Sequence, residues 1–136
     1  MNVLIIYYST NGSTKKMSRL IARGVEKVDG IDALLRTVNS THKNGEEDDP
    51  IVTKQELQNC SALIIGSPTH FGNMATPMKA FIDTTTTEWH NGTLSGKPAG
   101  VFTSTSSLHG GQESTLITMM LPLLHHGMII SGVPYT

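Results

Sequence analysis

At 136 residues and 14.7 kDa the chain has the length of one domain, enough to bury a core without disulfide or metal staples. Ten Lys and Arg against eleven Asp and Glu leave a net charge of −1, which excludes the basic footprint of a nucleic-acid binder and the strong acidity of a small carrier that docks on basic partners. The single Cys60 excludes an internal disulfide and fits a reducing, cytoplasmic setting, and no stretch approaches the roughly 20 apolar residues of a membrane span.

Val3 to Tyr8 is a continuous apolar run, which predicts a strand buried on both faces; it is too short, and has no basic flank, for a signal peptide. After the hydroxyl-rich turn Ser9 to Thr14, residues Met17, Leu20, Ile21, Val25 and Val28 recur at helical spacing, with Gly30 set to stop the helix. Ile31 to Val38 predicts a second strand. Asn39 to Pro50, with its acidic run Glu46 to Asp49, predicts a solvated polar loop. Thr53 to Asn59 predicts a short helix and Ala62 to Gly66 a third strand. Pro77 to Ile82 predicts a helix with Pro in its first turn, where a missing N–H costs little. Ala99 to Thr103 predicts a fourth strand. Leu116, Met119, Met120, Leu123 and Leu124 line one face of a further helix, with a kink expected at Pro122 and an end at Gly127. Met128 to Val133 predicts a fifth strand.

Strands alternating with helices imply parallel pairing, right-handed crossovers and helices on both faces. Residues 1–136 therefore predict a single α/β domain with a doubly wound, five-stranded sheet in the flavodoxin-like order 2-1-3-4-5. No helical pattern follows the fifth strand, so one face of that strand is expected to lie open. A truncated final helix, a bound partner or a neighbouring subunit would cover it.

In such a sheet ligands bind beyond the carboxyl ends of the strands where the order reverses, here between the first and third. Three loops at that edge carry hydrogen-bonding groups. The first is Ser9, Thr10, Asn11, Gly12, Ser13 and Thr14, at a helix N-terminus whose dipole favours an anion. A capped helix start and a phosphate socket both satisfy this stretch. No GK[ST] follows, which disfavours a nucleoside-triphosphate loop, and there is no G-x-G-x-x-G. The second loop is Ser67, Pro68, Thr69, His70, Phe71, Gly72, Asn73 and Met74; Phe71 offers a flat apolar surface. The third is Ser104, Thr105, Ser106, Ser107, Leu108, His109, Gly110, Gly111, Gln112 and Glu113, rich in backbone donors and with flexible glycines before a helix. A phosphate socket beside two such loops suits a flat, polar-edged ring with a phosphate tail, as in flavin mononucleotide (FMN).

The segments Ser67 to Met74, Phe81-Ile82-Asp83, Trp89, Ser104 through Gly110-Gly111-Gln112-Glu113, and His125-His126-Gly127-Met128 together resemble the WrbA family of flavodoxin-like NAD(P)H:quinone oxidoreductases. The resemblance runs from residue 2 to about residue 135. It implies FMN as cofactor, with the phosphate on Ser9 to Thr14 and the ring against Thr69, His70 and Phe71. It places the ring edge along Ser104 to Gly110, His126 near the flavin, and Trp89 closing the substrate pocket from a neighbouring subunit of a tetramer. The implied reaction is ping-pong, hydride passing from NAD(P)H to the flavin and two electrons then passing to a quinone. The chain departs from the family at Asn11, where an aromatic residue thought to contact nicotinamide is common. Asn11 brings this loop closer to the flavodoxins proper.

Other readings of the same residues remain. His125 and His126 at a helix end also suit a simple complement to the helix dipole. Cys60 and Met119-Met120 suit core packing, and Trp89 a local packing anchor in a loop. His70 and His109 suit proton donation near a quinone oxygen. The six His are scattered with no i, i+4 pair and no second Cys, which argues against a metal site. Two other functions compete with the oxidoreductase, a flavodoxin-type electron carrier and a member without cofactor.

Overall fold

A computed structural model describes residues 1–40 and 49–135. His42, Glu46, Glu47 and Asp48 of the polar loop lie outside the described residues. The elements in chain order are β1 (Asn2–Tyr7), α1 (Ser13–Val25), β2 (Asp32–Thr37), α2 (Lys54–Asn59), β3 (Ala62–His70), β4 (Asn73–Met74), α3 (Thr76–Asp83), α4 (Thr86–His90), β5 (Pro98–Ser104), α5 (Gln112–His125) and β6 (Ile129–Ile130). The parallel sheet runs β2-β1-β3-β5-β6, the expected order, and the short β4 folds back antiparallel on β3.

Period-two alternation sorts the strand side chains onto two faces. Ile5, Tyr7 and Phe102 face α1 and pack with its Met17, Ile21 and Val25. Leu4, Ile6, Leu63 and Ile65 face the other way, onto Leu57 of α2, Met78 of α3, and Met119 and Leu123 of α5. Cys60 is buried in that second layer and burial pushes its thiol up, so it is packing rather than chemistry. Among the described residues, α1 supplies all the helical side chains packed on the first face, and a cavity of about 400 Å³ lies beside it. Val3, Ile21, Ile64, Val101 and Phe102 are among the residues that line it.

Several elements differ from expectation. The fifth strand shrinks to Ile129 and Ile130, paired with Pro98 and Ala99, and the chain beyond carries no ladder despite its apolar composition. The third strand instead runs four residues further, because Ser67 and Pro68 continue the pairing with Thr103 and Ser104 of β5. Trp89 is in a helix, α4, not a loop. Asp49 is not merely solvated: the Tyr7 hydroxyl donates to it at 2.7 Å, and Arg19 of α1 reaches it at 3.2 Å. Its carboxylate thus ties the return of the polar loop to β1 and α1.

β1, β3 and β5 lie side by side at Gly66, the middle residue of β3. It is in register with Tyr7 on one side and Phe102 on the other. A Cβ on Gly66 would overlap the Phe102 ring, so the absent side chain is what lets that ring lie flat across the strand. Gly66→Ala is therefore expected to cost about 1–3 kcal/mol through overpacking, read as a lower urea midpoint. An unchanged midpoint would mean that Phe102 swings clear at no cost.

Candidate functional site

The turn Ser9 to Thr14 links β1 to α1. The N-cap is Gly12, left-handed at φ 86°, and no side chain caps the helix. Ser9 instead turns inward, its Oγ accepting from the Gly12 N–H at 3.0 Å, which shapes the turn. Thr14 is buried, and its Oγ1 lies 2.9 Å from Ser104 Oγ at the end of β5. That bond braces the start of α1 against the third loop.

Between them is a cavity of about 210 Å³ lined by Ser9, Thr10, Asn11, Ser13 and Thr14, by Pro68, Thr69 and His70, and by Ser104, Thr105 and Ser106. The three loops singled out from the sequence thus converge on one crevice at the switch point of the sheet. Its donors are hydroxyls and N–H groups at a positive helix end, the chemistry that holds a phosphate monoester. FMN fits this donor set.

The walls beyond the socket are rigid and strained. Thr69 Oγ1 is 3.2 Å from Thr103 Oγ1, which itself donates to the Ser67 carbonyl at 2.6 Å, so a ladder of hydroxyls ties β3 to β5. His70 and Asn73 then pair across the β3–β4 hairpin, whose tip is Phe71 and Gly72. Phe71 is fully exposed with φ 52°, a left-handed conformation that costs a non-glycine residue about 1–3 kcal/mol. His109 in the facing loop is left-handed too, at φ 54°. Its Nδ1 is 2.6 Å from Glu113 Oε1, and the His109 ring beside it holds the Glu113 carboxyl below the usual carboxylate range. Ser107 and Leu108 are exposed in the same loop. Gly110 has no room for a Cβ, since the Thr105 and Ser107 hydroxyls occupy that space. Gly111 lies against Gly72, where Ser114 Oγ donates to the Gly72 carbonyl at 2.8 Å, so the hairpin is docked on the start of α5.

His126 and Trp89 are not in this crevice. They line a second cavity of about 400 Å³ with Lys79, Asp83, Thr86 and His125, between α3, α4 and the end of α5. The Trp89 Nε1–H donates to the His125 carbonyl at 2.8 Å, which fixes the half-exposed indole against the end of α5. His126 Nε2 is 2.9 Å from Thr85 Oγ1. Beneath it Glu88 is buried and paired to Lys54 Nζ at 3.2 Å. Burial pushes the His126 pKa below its ordinary value, Glu88 opposes that shift, and Lys54 adds to it. Sequence reasoning missed Thr85, Glu88 and Lys54; the only signal was the threonine run Thr84 to Thr87. Among the described residues no group of three or more His, Cys, Asp or Glu could hold a metal ion.

A family profile described as NADPH-dependent FMN reductase matches residues 1–135. A relative from Solidesulfovibrio magneticus, named NAD(P)H dehydrogenase (quinone), is 44% identical over 149 aligned positions that span 100% of this chain and 73% of that protein. Among solved structures, a flavodoxin, WrbA-like protein from Agrobacterium tumefaciens superposes with a TM-score of 0.77 at 27% identity, covering 94% of this chain and 74% of that one. A flavodoxin from the domain Archaea superposes at 0.76 with 25% identity, over 98% of this chain and 80% of its own.

The depressed pKa of His126 has a stability signature. The unfolded ring, with a pKa near about 6.5, binds a proton before the folded ring does, so stability is greatest above that value. As pH falls from about 6.5 toward the folded pKa, the urea midpoint is expected to drop, and His126→Gln is expected to flatten that part of the profile. A profile identical in the two proteins would show that His126 carries no such linkage.

Proposed function

The chain belongs to the NADPH-dependent FMN reductase family, and on that premise we propose that it is an FMN-dependent NAD(P)H:quinone oxidoreductase working by a ping-pong mechanism. The observation that carries this reading is the uncapped start of α1, opening onto a crevice of neutral donors. Residues 1–136 act as one FMN-binding unit. Ser9, Thr10, Ser13 and Thr14, with the N–H groups of the Gly12 turn, hold the phosphate, and Asn11 closes the turn over it. Pro68, Thr69, His70 and Phe71 form the wall for the ring, with Gly72 and Asn73 shaping the hairpin. Ser104 to Gly110 follow the ring edge. FMN bound there supplies the redox chemistry, exchanging a hydride equivalent with NAD(P)H and two electrons with a quinone in alternating half-reactions.

The chain's own part is to bind, orient and exclude water. The hydroxyl ladder between β3 and β5 keeps the wall still. The left-handed Phe71 presents an aromatic surface ready for stacking. His126 and Trp89 serve the flavin of a neighbouring subunit, which supports reading the protein as a homodimer or homotetramer. An exposed apolar row on α5, Ile117, Leu121 and Leu124, supports the same reading. No helix among the described residues is long and apolar enough to cross a membrane, and we take the protein to work in the cytoplasm.

A second reading, an electron carrier of the flavodoxin type, draws on Asn11-Gly12-Ser13-Thr14. One experiment separates the two. The protein loaded with FMN is expected to lose its flavin absorbance on addition of NADH or NADPH and regain it with a benzoquinone; absorbance untouched by either nicotinamide would leave the carrier. For the socket, Ser9→Ala with Thr14→Ala removes two hydroxyls worth about 0.5–1.5 kcal/mol each, more against a charged partner. The FMN dissociation constant, from quenching of flavin fluorescence, is expected to rise about tenfold or more. Unaltered affinity in a folded double variant would remove the phosphate assignment.

A further inference from the structure

Thr85 precedes α4 and is 4% exposed. Its hydroxyl makes two short contacts. One is to the Ile82 carbonyl at 2.6 Å, the other to His126 Nε2 at 2.9 Å. A hydroxyl has one hydrogen to give. The carbonyl has none, and two oxygens at 2.6 Å without a proton between them would repel, so the Thr85 hydrogen goes to Ile82. At the second contact Thr85 Oγ1 can then only accept, and His126 Nε2 must carry the proton. In a neutral imidazole that leaves Nδ1 bare. Nδ1 is buried and has no hydrogen-bond partner among the described residues.

We propose that Thr85 is a positioning residue that locks His126 in the Nε2–H form, so that His126 acts as a neutral ring whose one proton is already given to Thr85 and is not a proton donor to substrate. The electrostatics agree. Burial opposes the doubly protonated ring, and the one buried carboxylate beside it, Glu88 on α4, is neutralised by Lys54 on α2. Lys79 and Asp83 of α3, on the same cavity wall, satisfy each other at 2.6 Å, and His125 adds no negative charge. The role in catalysis rests on the quinone-reductase reading, and it assigns the proton that the reduced quinone takes up to solvent or to another group.

The test reads the tautomer directly. Long-range proton–nitrogen correlation spectra of the ¹⁵N-labelled full chain, with the His126 signals assigned by their loss in His126→Gln, are expected to show a protonated Nε2 and a bare Nδ1 above pH 7. Thr85→Val keeps the shape but removes the acceptor, and is expected to replace that pattern with exchanging tautomers, while Thr85→Ser retains it. A wild-type spectrum with Nδ1 protonated, or an unchanged pattern in Thr85→Val, would overturn the proposal. Should Thr85→Val not fold, the wild-type and Thr85→Ser spectra still decide it. Flavin reduction by NADPH measured in parallel keeps the two ideas apart, since its failure would sink the quinone-reductase reading and leave the tautomer standing.

Discussion

The in-register pairing of Tyr7 with Gly66, and of Gly66 with Phe102, is the constraint on which the rest of the molecule depends. It sets where β1, β3 and β5 stop relative to one another, so that the three loops leaving them open at one edge. The pairing continues past the strand itself, where the Tyr8 N–H donates to the Gly66 carbonyl at 2.9 Å. The Phe102 ring fills the space left by the missing side chain. Move β3 by one residue and every side chain on it changes face, which would turn Leu63 and Ile65 away from the core they share with Leu4 and Ile6.

The division of labour between two cavities follows from the same geometry. The crevice belongs to the sheet edge and is built from turns. The Trp89 and His126 cavity belongs to α3, α4 and α5 and is built from helix ends. A motif read along the chain puts both in one active site, while the fold of one chain holds them apart. Helix ends of this kind gather groups that answer each other, as Lys54 does by reaching the Thr84 carbonyl at 2.6 Å as well as Glu88. A charge buried at Glu88 is tolerable because that ammonium partner is itself held by the carbonyl and hydroxyl of Thr84.

Legibility in the sequence followed the strength of the local signal. Val3 to Tyr8 and Ala62 to Gly66 announce themselves because a strand buried on two faces must be apolar throughout. The continuation of β3 through Ser67-Pro68-Thr69-His70 does not, since its partners are hydroxyls on β5 rather than a hydrophobic layer. Met128 to Val133 misleads in the opposite sense, apolar enough for a strand, yet paired only at Ile129 and Ile130. Thr84 to Thr87 conceals a helix start, since three of those hydroxyls accept no periodic pattern but donate back to carbonyls three residues earlier. The crevice was legible because turn chemistry is local. The surroundings of His126 were not, because Lys54, Thr85 and Glu88 come together only through tertiary packing.

Phe71 faces water at the tip of a hairpin that is pinned to α5, and its backbone is already in the unfavourable left-handed region. Nothing in the loop has to become ordered for a flat ring to lie against it. Under the proposed stacking of the flavin on Phe71, the surface lost to solvent is apolar surface already on display, and the imprint of the ligand is then calorimetric: a negative heat-capacity change in proportion to the covered area, without the large entropic penalty of folding a segment around its guest.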